Sequence, residues 1–140
     1  MGKILCATRG GEDSYLTQDA AIELAKERGD ELAFLYVFDL NFLNKTAAPI
    51  LVDVGNEVVK MGEFMLLIAQ ERASAQGITA SIITRKGKLR DEIKKAAAQE
   101  DASLVILGSP AGPESAFAME SLKNFAAEIE AETGVETIIV

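Results

Sequence analysis

The sequence predicts an α/β domain built on a parallel sheet, and three observations carry that reading. Apolar runs of strand length alternate with stretches of helical periodicity, and two glycine-rich turns each follow such a run. The 140 residues, 49% apolar and 26% charged, suit one folded core over residues 1–140. No internal repeat and no linker interrupts the pattern.

Ile4-Leu5-Cys6-Ala7 reads as the opening strand, and Thr8-Arg9-Gly10-Gly11-Glu12-Asp13-Ser14 as the turn into a helix. That helix runs from about Ser14 to Arg28, with Leu16, Ala20 and Leu24 on one stripe and Gly29 as its stop. Leu32 to Phe38 is almost uninterruptedly apolar, as a strand covered on both faces requires. Asp39 to Val54, which contains Pro49, is expected to be a longer connection. Asp53 or Asn56 then caps a second helix, where Val58, Met61, Met65 and Ile68 recur at helical spacing until Gly77.

Thr79 to Thr84 is a β-branched third strand, and Lys88 to Glu100 a third helix with Leu89, Ile93 and Ala97 aligned. Ser103 to Leu107 forms the fourth strand and enters the second glycine loop, Gly108-Ser109-Pro110-Ala111-Gly112-Pro113. Leu122, Phe125 and Ile129 mark a fourth helix ending near Gly134, and Glu136 to Val140 is the last strand. Right-handed crossovers then give a doubly wound five-stranded sheet with helices on both faces. Two strand orders stay open: the flavodoxin-like 2-1-3-4-5 and its relative 3-2-1-4-5. Either one places a ligand crevice at the carboxyl ends of the strands, where the order reverses.

Composition excludes several classes of function. Fourteen Lys and Arg against 22 Asp and Glu leave a net charge of −8, which repels a nucleic-acid backbone. With no histidine, His-based triads and the commonest zinc ligand are removed, so acid–base work would fall to carboxylates, Lys or Tyr. A single cysteine makes no internal disulfide, the opening residues lack a signal-peptide pattern, and no apolar run approaches membrane-spanning length. A soluble protein of the reducing cytoplasm, without membrane or nucleic-acid partners, is expected.

In the 3-2-1-4-5 order both glycine loops converge on the crevice, each leading to a helix N-terminus that favours an anion. Tight strand-to-helix turns are the plainer use of such glycines, and no Walker motif occurs. Lys3-Ile4-Leu5-Cys6-Ala7-Thr8, then Gly10 and Glu12-Asp13-Ser14, then Ala20 to Ala25, resemble the opening of the universal stress protein family. Leu35 to Asp39, Leu104 to Ser109 and Ile138-Ile139-Val140 are similar to its second, fourth and last strands. The resemblance covers the whole chain and implies the order 3-2-1-4-5, an adenine-nucleotide-hydrolase-like relative of the flavodoxin sheet. Nucleotide-binding members carry an acid in the first loop and a G-x-x-G, nine-residue gap, G-Ser/Thr pattern after strand four.

This sequence departs from that pattern at three places. Arg9 stands where the acid is expected, Gly108 and Gly112 are separated by three residues instead of two, and Glu120-Ser121 replaces Gly-Ser. The nucleotide contacts that the resemblance carries over are Ala7, Thr8, Arg9, Val37, Gly108, Ser109, Gly112 and Ser121. Glu120, near the start of the last helix, would set a negative charge against phosphate and fill the space that glycine leaves free. Three roles are open to Arg9: a pair with Glu120 that fills the crevice, a phosphate clamp, or a solvated side chain. A second resemblance touches the same loop, since Arg9 to Ser14 is similar to the S-G-G-x-D-S pyrophosphate loop of ATP pyrophosphatases apart from its first residue.

Other residues have structural readings. Cys6 is expected to be a buried thiol, and Met61, Phe64, Met65 and Leu67 to be core packing. Glu128, Glu130 and Glu132 read as a solvated face, and Lys86, Lys88, Arg90, Lys94 and Lys95 as a solvated basic helix start open to an acidic partner. The resemblance implies a regulatory, stress-response binding protein. Glu136 to Val140, as an edge strand, would pair with its copy in a homodimer. No catalytic residue, metal or required cofactor is assigned; the alternative is an ATP-binding member, with Mg and weak ATP hydrolysis.

Overall fold

The computed structural model describes residues 2–8, 14–38, 48–109 and 115–140; for 48–56, 58 and 115–117 the description extends to the backbone only. Strands and helices alternate along it: β1 (Lys3–Ala7), α1 (Tyr15–Arg28), β2 (Glu31–Phe38), α2 (Ala48–Ala75), β3 (Ala80–Lys86), α3 (Leu89–Gln99), β4 (Leu104–Leu107), α4 (Ser115–Thr133) and β5 (Glu136–Ile139). The five strands are parallel and ordered β3-β2-β1-β4-β5, which decides between the two arrangements left open by the sequence. Register runs Lys3 to Ala7 against Glu31 to Leu35, and Ile4 to Cys6 against Leu104 to Ile106.

Alternation along each strand sends successive side chains to opposite layers. Ile4, Cys6, Phe34, Leu104 and Ile106 pack with Ala21, Ile22 and Ala25 of α1 and Leu66, Ala69 and Ala73 of α2. Leu5, Ala33, Leu35, Val105 and Leu107 pack with Ile93, Ala96 and Ala97 of α3 and Phe125, Ala126 and Ile129 of α4. Burial on both faces is why the central strands read as unbroken apolar runs. Gly29 stops α1 in the left-handed region at φ 66°, its amide donating to the Ala25 carbonyl.

Two helices differ from the sequence reading. The buried face of α1 is Thr17, Gln18, Ala21, Ile22 and Ala25, whereas Leu16 of the expected stripe is 78% exposed. Polar residues at 17 and 18 disguise a helical period that the aliphatic residues alone misplace by one position. The second helix begins at Ala48 instead of near Asp53 or Asn56, so it takes up part of the expected Asp39 to Val54 connection. Pro49 falls in its first turn, where the missing N–H would have had no helical partner.

The inward face of α2 is Gly62, Leu66, Ala69 and Ala73. Gly62 permits close contact, since a Cβ there would meet the Phe38 ring at 2.5 Å. Met61, Phe64 and Leu67, expected in the core, are 61%, 61% and 49% exposed; Met65 is half-buried.

Candidate functional site

The order reverses between β1 and β4, which are neighbours in the sheet although two strands separate them in sequence. That switch point is where an open α/β sheet forms its crevice. Ala7 ends β1 and Thr8 follows it; Val37 lies in the last turn of pleat of β2; Gly108 and Ser109 follow β4. Five of the sequence-derived contacts therefore gather at the carboxyl ends of three adjacent strands. Arg9 and Gly112 lie outside the described residues, as do the Arg9–Glu120 pair and the rest of both glycine loops.

Two of the described amides at this end are already engaged. The Thr8 amide donates to the Leu35 carbonyl at 2.9 Å, and the Ser109 amide to the Val140 carbonyl at 2.7 Å. Both bonds prolong the parallel ladders past the strand ends. Gly108 sits close under α1, where an added Cβ would lie 3.0 Å from the Thr17 hydroxyl.

Ser121 is on α4, and its Oγ accepts a hydrogen bond of 2.7 Å from Arg90 Nη2. The Arg90 guanidinium also lies 5.0 Å from the centroid of the Phe125 ring and 3.8 Å from Glu128. Lys94, one turn further along α3, bridges Glu128 at 3.2 Å and Glu132 at 2.5 Å. The hydrogen bond from Lys94 to Glu132 holds the ammonium above the usual lysine range. The acidic residues 128 and 132 are thus paired, not simply solvated, while Glu130 accepts from the Thr137 amide at 2.9 Å. Much of the expected basic patch is likewise used internally: Lys95 reaches Glu92, which Arg85 also holds at 2.9 Å, and the Arg85 bond lowers the Glu92 carboxyl below its ordinary range.

Glu120 is the sixth residue of α4 and is exposed. It therefore stands in the second turn, deeper than a charge placed against the first-turn amides, and its side chain turns to water instead of filling a cavity.

Below the crevice runs a polar chain that sequence reasoning missed. Gln18 is 1% exposed; its Nε2 donates to Thr8 Oγ1 at 3.2 Å and its Oε1 accepts from Arg72 Nη1 at 2.7 Å. Arg72 also binds Asp19 at 2.6 Å and stacks 4.0 Å over the Tyr15 ring. The strand-end Thr8 is thereby tied through α1 to α2. The available signal was a glutamine in phase with Ala21, Ile22 and Ala25, a position where an amide demands two partners.

Cys6 is fully buried in β1, and burial pushes its thiol up to about 12, which makes it the inert packing residue expected. Among the described residues no group of carboxylates and thiols could hold a metal ion, and no helix is long and apolar enough to cross a membrane.

Known proteins are similar to this chain in sequence and in fold. The universal stress protein YxiE of Bacillus subtilis (strain 168) is 32% identical over 115 residues, which span 76% of this chain and 78% of the relative. The fold matches universal stress protein UspA from Lactobacillus plantarum with a TM-score of 0.80 at 15% identity, over 99% of this chain and 97% of that one. It also matches a universal stress protein solved in complex with cAMP, at a TM-score of 0.71 and 21% identity, over 99% and 96% of the two chains. With the model of the universal stress protein family matching residues 1–137, the chain belongs to that family.

Proposed function

We propose that this stress protein is a binding module that acts as a homodimer and needs no bound nucleotide. The observation that carries the reading is Ser121: the hydroxyl that the motif makes a nucleotide contact accepts a hydrogen bond from Arg90 at 2.7 Å. Arg90 is itself fixed by Phe125 and Glu128, so a nucleotide would have to dismantle a contact between α3 and α4. The Thr8 and Ser109 amides are also committed to the sheet. No catalytic residue is assigned. A cytoplasmic setting suits the lone, buried Cys6.

The relative solved with cAMP favours a second reading, in which this chain binds an adenine nucleotide, ATP with Mg2+ included, and hydrolyses it weakly. In that reading Arg90 releases Ser121 and turns to the phosphate. Titration calorimetry with ATP plus Mg2+, and separately with cAMP, decides between them. No saturable heat is expected; micromolar binding of either ligand would overturn the nucleotide-free reading.

The homodimer is proposed through β5. It is an edge of the described sheet, and Ile138, Ile139 and Val140 are only half-buried. An edge strand offers a row of backbone groups to a second copy, and two-fold pairing satisfies both. Light scattering at micromolar concentration should give twice the chain mass, and a monomer would contradict the assignment.

A further inference from the structure

The outer face of α2 combines features that packing within one chain does not explain. Met61, Phe64 and Leu67 are the most exposed large apolar side chains among the described residues of this helix, at 61%, 61% and 49%. Glu57 and Glu71, both exposed, lie seven residues before and after Phe64. Seven residues are two turns, so the three stand in one row with about 10 Å between neighbours. Exposed Glu63 adds a third acid beside the row, against a single exposed base, Lys60.

A second copy is a poor occupant for this face. In an antiparallel two-fold pairing centred on Phe64, Glu57 opposes Glu71 of the other copy, twice. In a parallel pairing each glutamate opposes itself. Both arrangements set like charges together and are penalised. The apolar area is also small: three part-exposed side chains offer on the order of 300 Å2, against ~800 Å2 per partner in a stable subunit interface. An anionic membrane surface is disfavoured by the same glutamates and by the net charge of −8.

We infer that this face of α2 docks a basic amphipathic helix from another protein. Its apolar residues would cover Met61, Phe64 and Leu67, while Lys or Arg two turns to either side meet Glu57 and Glu71. Area and charge both fit one helix laid along α2, and the acidic chain as a whole steers such a partner toward it.

The test uses a dye-labelled peptide of about 18 Leu and Lys residues arranged to form one apolar and one basic helical face. Anisotropy should show micromolar binding to the full chain. Phe64→Ser should weaken it about tenfold, as should the double change Glu57→Lys with Glu71→Lys. All three positions are exposed, so circular dichroism should be unchanged. A scrambled peptide of the same composition should bind more weakly, which separates docking from simple attraction to an acidic protein. The inference is overturned by no binding, by equal binding of the scrambled peptide, or by an unchanged Phe64→Ser variant. Binding of the chain to phosphatidylserine vesicles through Phe64, or a fall in its sedimenting mass on Phe64→Ser, would equally overturn it in favour of a membrane or a second copy.

Discussion

On one side of the sheet, α3 and α4 are laced together by Arg90 and Lys94, which reach Ser121, Glu128 and Glu132. On the other side, α1 and α2 are joined where Arg72 reaches the exposed Asp19 and the buried Gln18, and α2 leaves Met61, Phe64 and Leu67 to water. Both layers bury an equivalent apolar stripe against the same strands. The difference is therefore in how each layer's outer surface is finished. An acidic chain with 14 bases has set two of them, Arg90 and Lys94, between α3 and α4, and among the described large apolar side chains of that layer Leu89 alone stays exposed; the α1–α2 layer leaves Leu16, Met61, Phe64 and Leu67 exposed.

The largest effects should show that the inner faces are equivalent. Leu66→Ala beneath α2 and Ile129→Ala beneath α4 each remove a fully buried aliphatic side chain, and urea unfolding should register a loss of about 2–5 kcal/mol for either. A much smaller loss at Leu66 would mean that α2 packs loosely on the sheet, and the comparison would fail. Next comes Gln18→Met, which keeps the volume but removes the bonds that the buried amide makes to the Thr8 hydroxyl and the Arg72 guanidinium. A loss of about 1–3 kcal/mol is expected from deleting two hydrogen bonds of a buried side chain, one of them to a charged group.

The outer surfaces should then diverge. Lys94→Met should lower the melting temperature modestly, and 1 M salt should erase the difference from the natural chain, because exposed ion pairs are screened. Phe64→Ser should move the unfolding free energy by no more than about 0.5 kcal/mol in either direction, as expected of an exposed site. A salt-independent loss at Lys94, or a marked loss at Phe64, would collapse the distinction between the layers.

The smallest effect is in acid. The folded Glu92 carboxyl is depressed by Arg85, so its contribution is present above the ordinary carboxylate value of about 4.3 and is lost as pH falls through the lower folded value. Lys94 behaves in the opposite sense: its value is raised by Glu132, so its contribution holds below the ordinary lysine value and fades as pH rises through the elevated one. Melting temperatures of Glu92→Gln against the natural chain should differ at neutral pH and converge in acid below that window.

Element order, strand burial and the family were legible in the sequence because apolar period and length report directly on layers. The start of α2 was not, since Pro49 and Gly55 punctuate a stretch that tertiary packing nonetheless holds helical. Neither was the buried face of α1, where Thr17 and Gln18 take inward positions that a search for aliphatic residues passes over. The same bias sent Met61, Phe64 and Leu67 to the core: hydrophobicity names what prefers burial, not what achieves it.

For the site, the motif departure at Glu120 and the retained Ser121 were visible residue by residue. The partner that takes Ser121, however, comes from α3, 31 residues away. Only the superposition of two crossovers brings Arg90 to it.

Native mass spectrometry of the protein purified from cells, under conditions that preserve weak complexes, addresses the central claim most directly, since one spectrum reads assembly and ligand together. A species of twice the chain mass with no added nucleotide is expected. A peak heavier by the mass of ATP, cAMP or another adenine nucleotide, retained through purification, would contradict it.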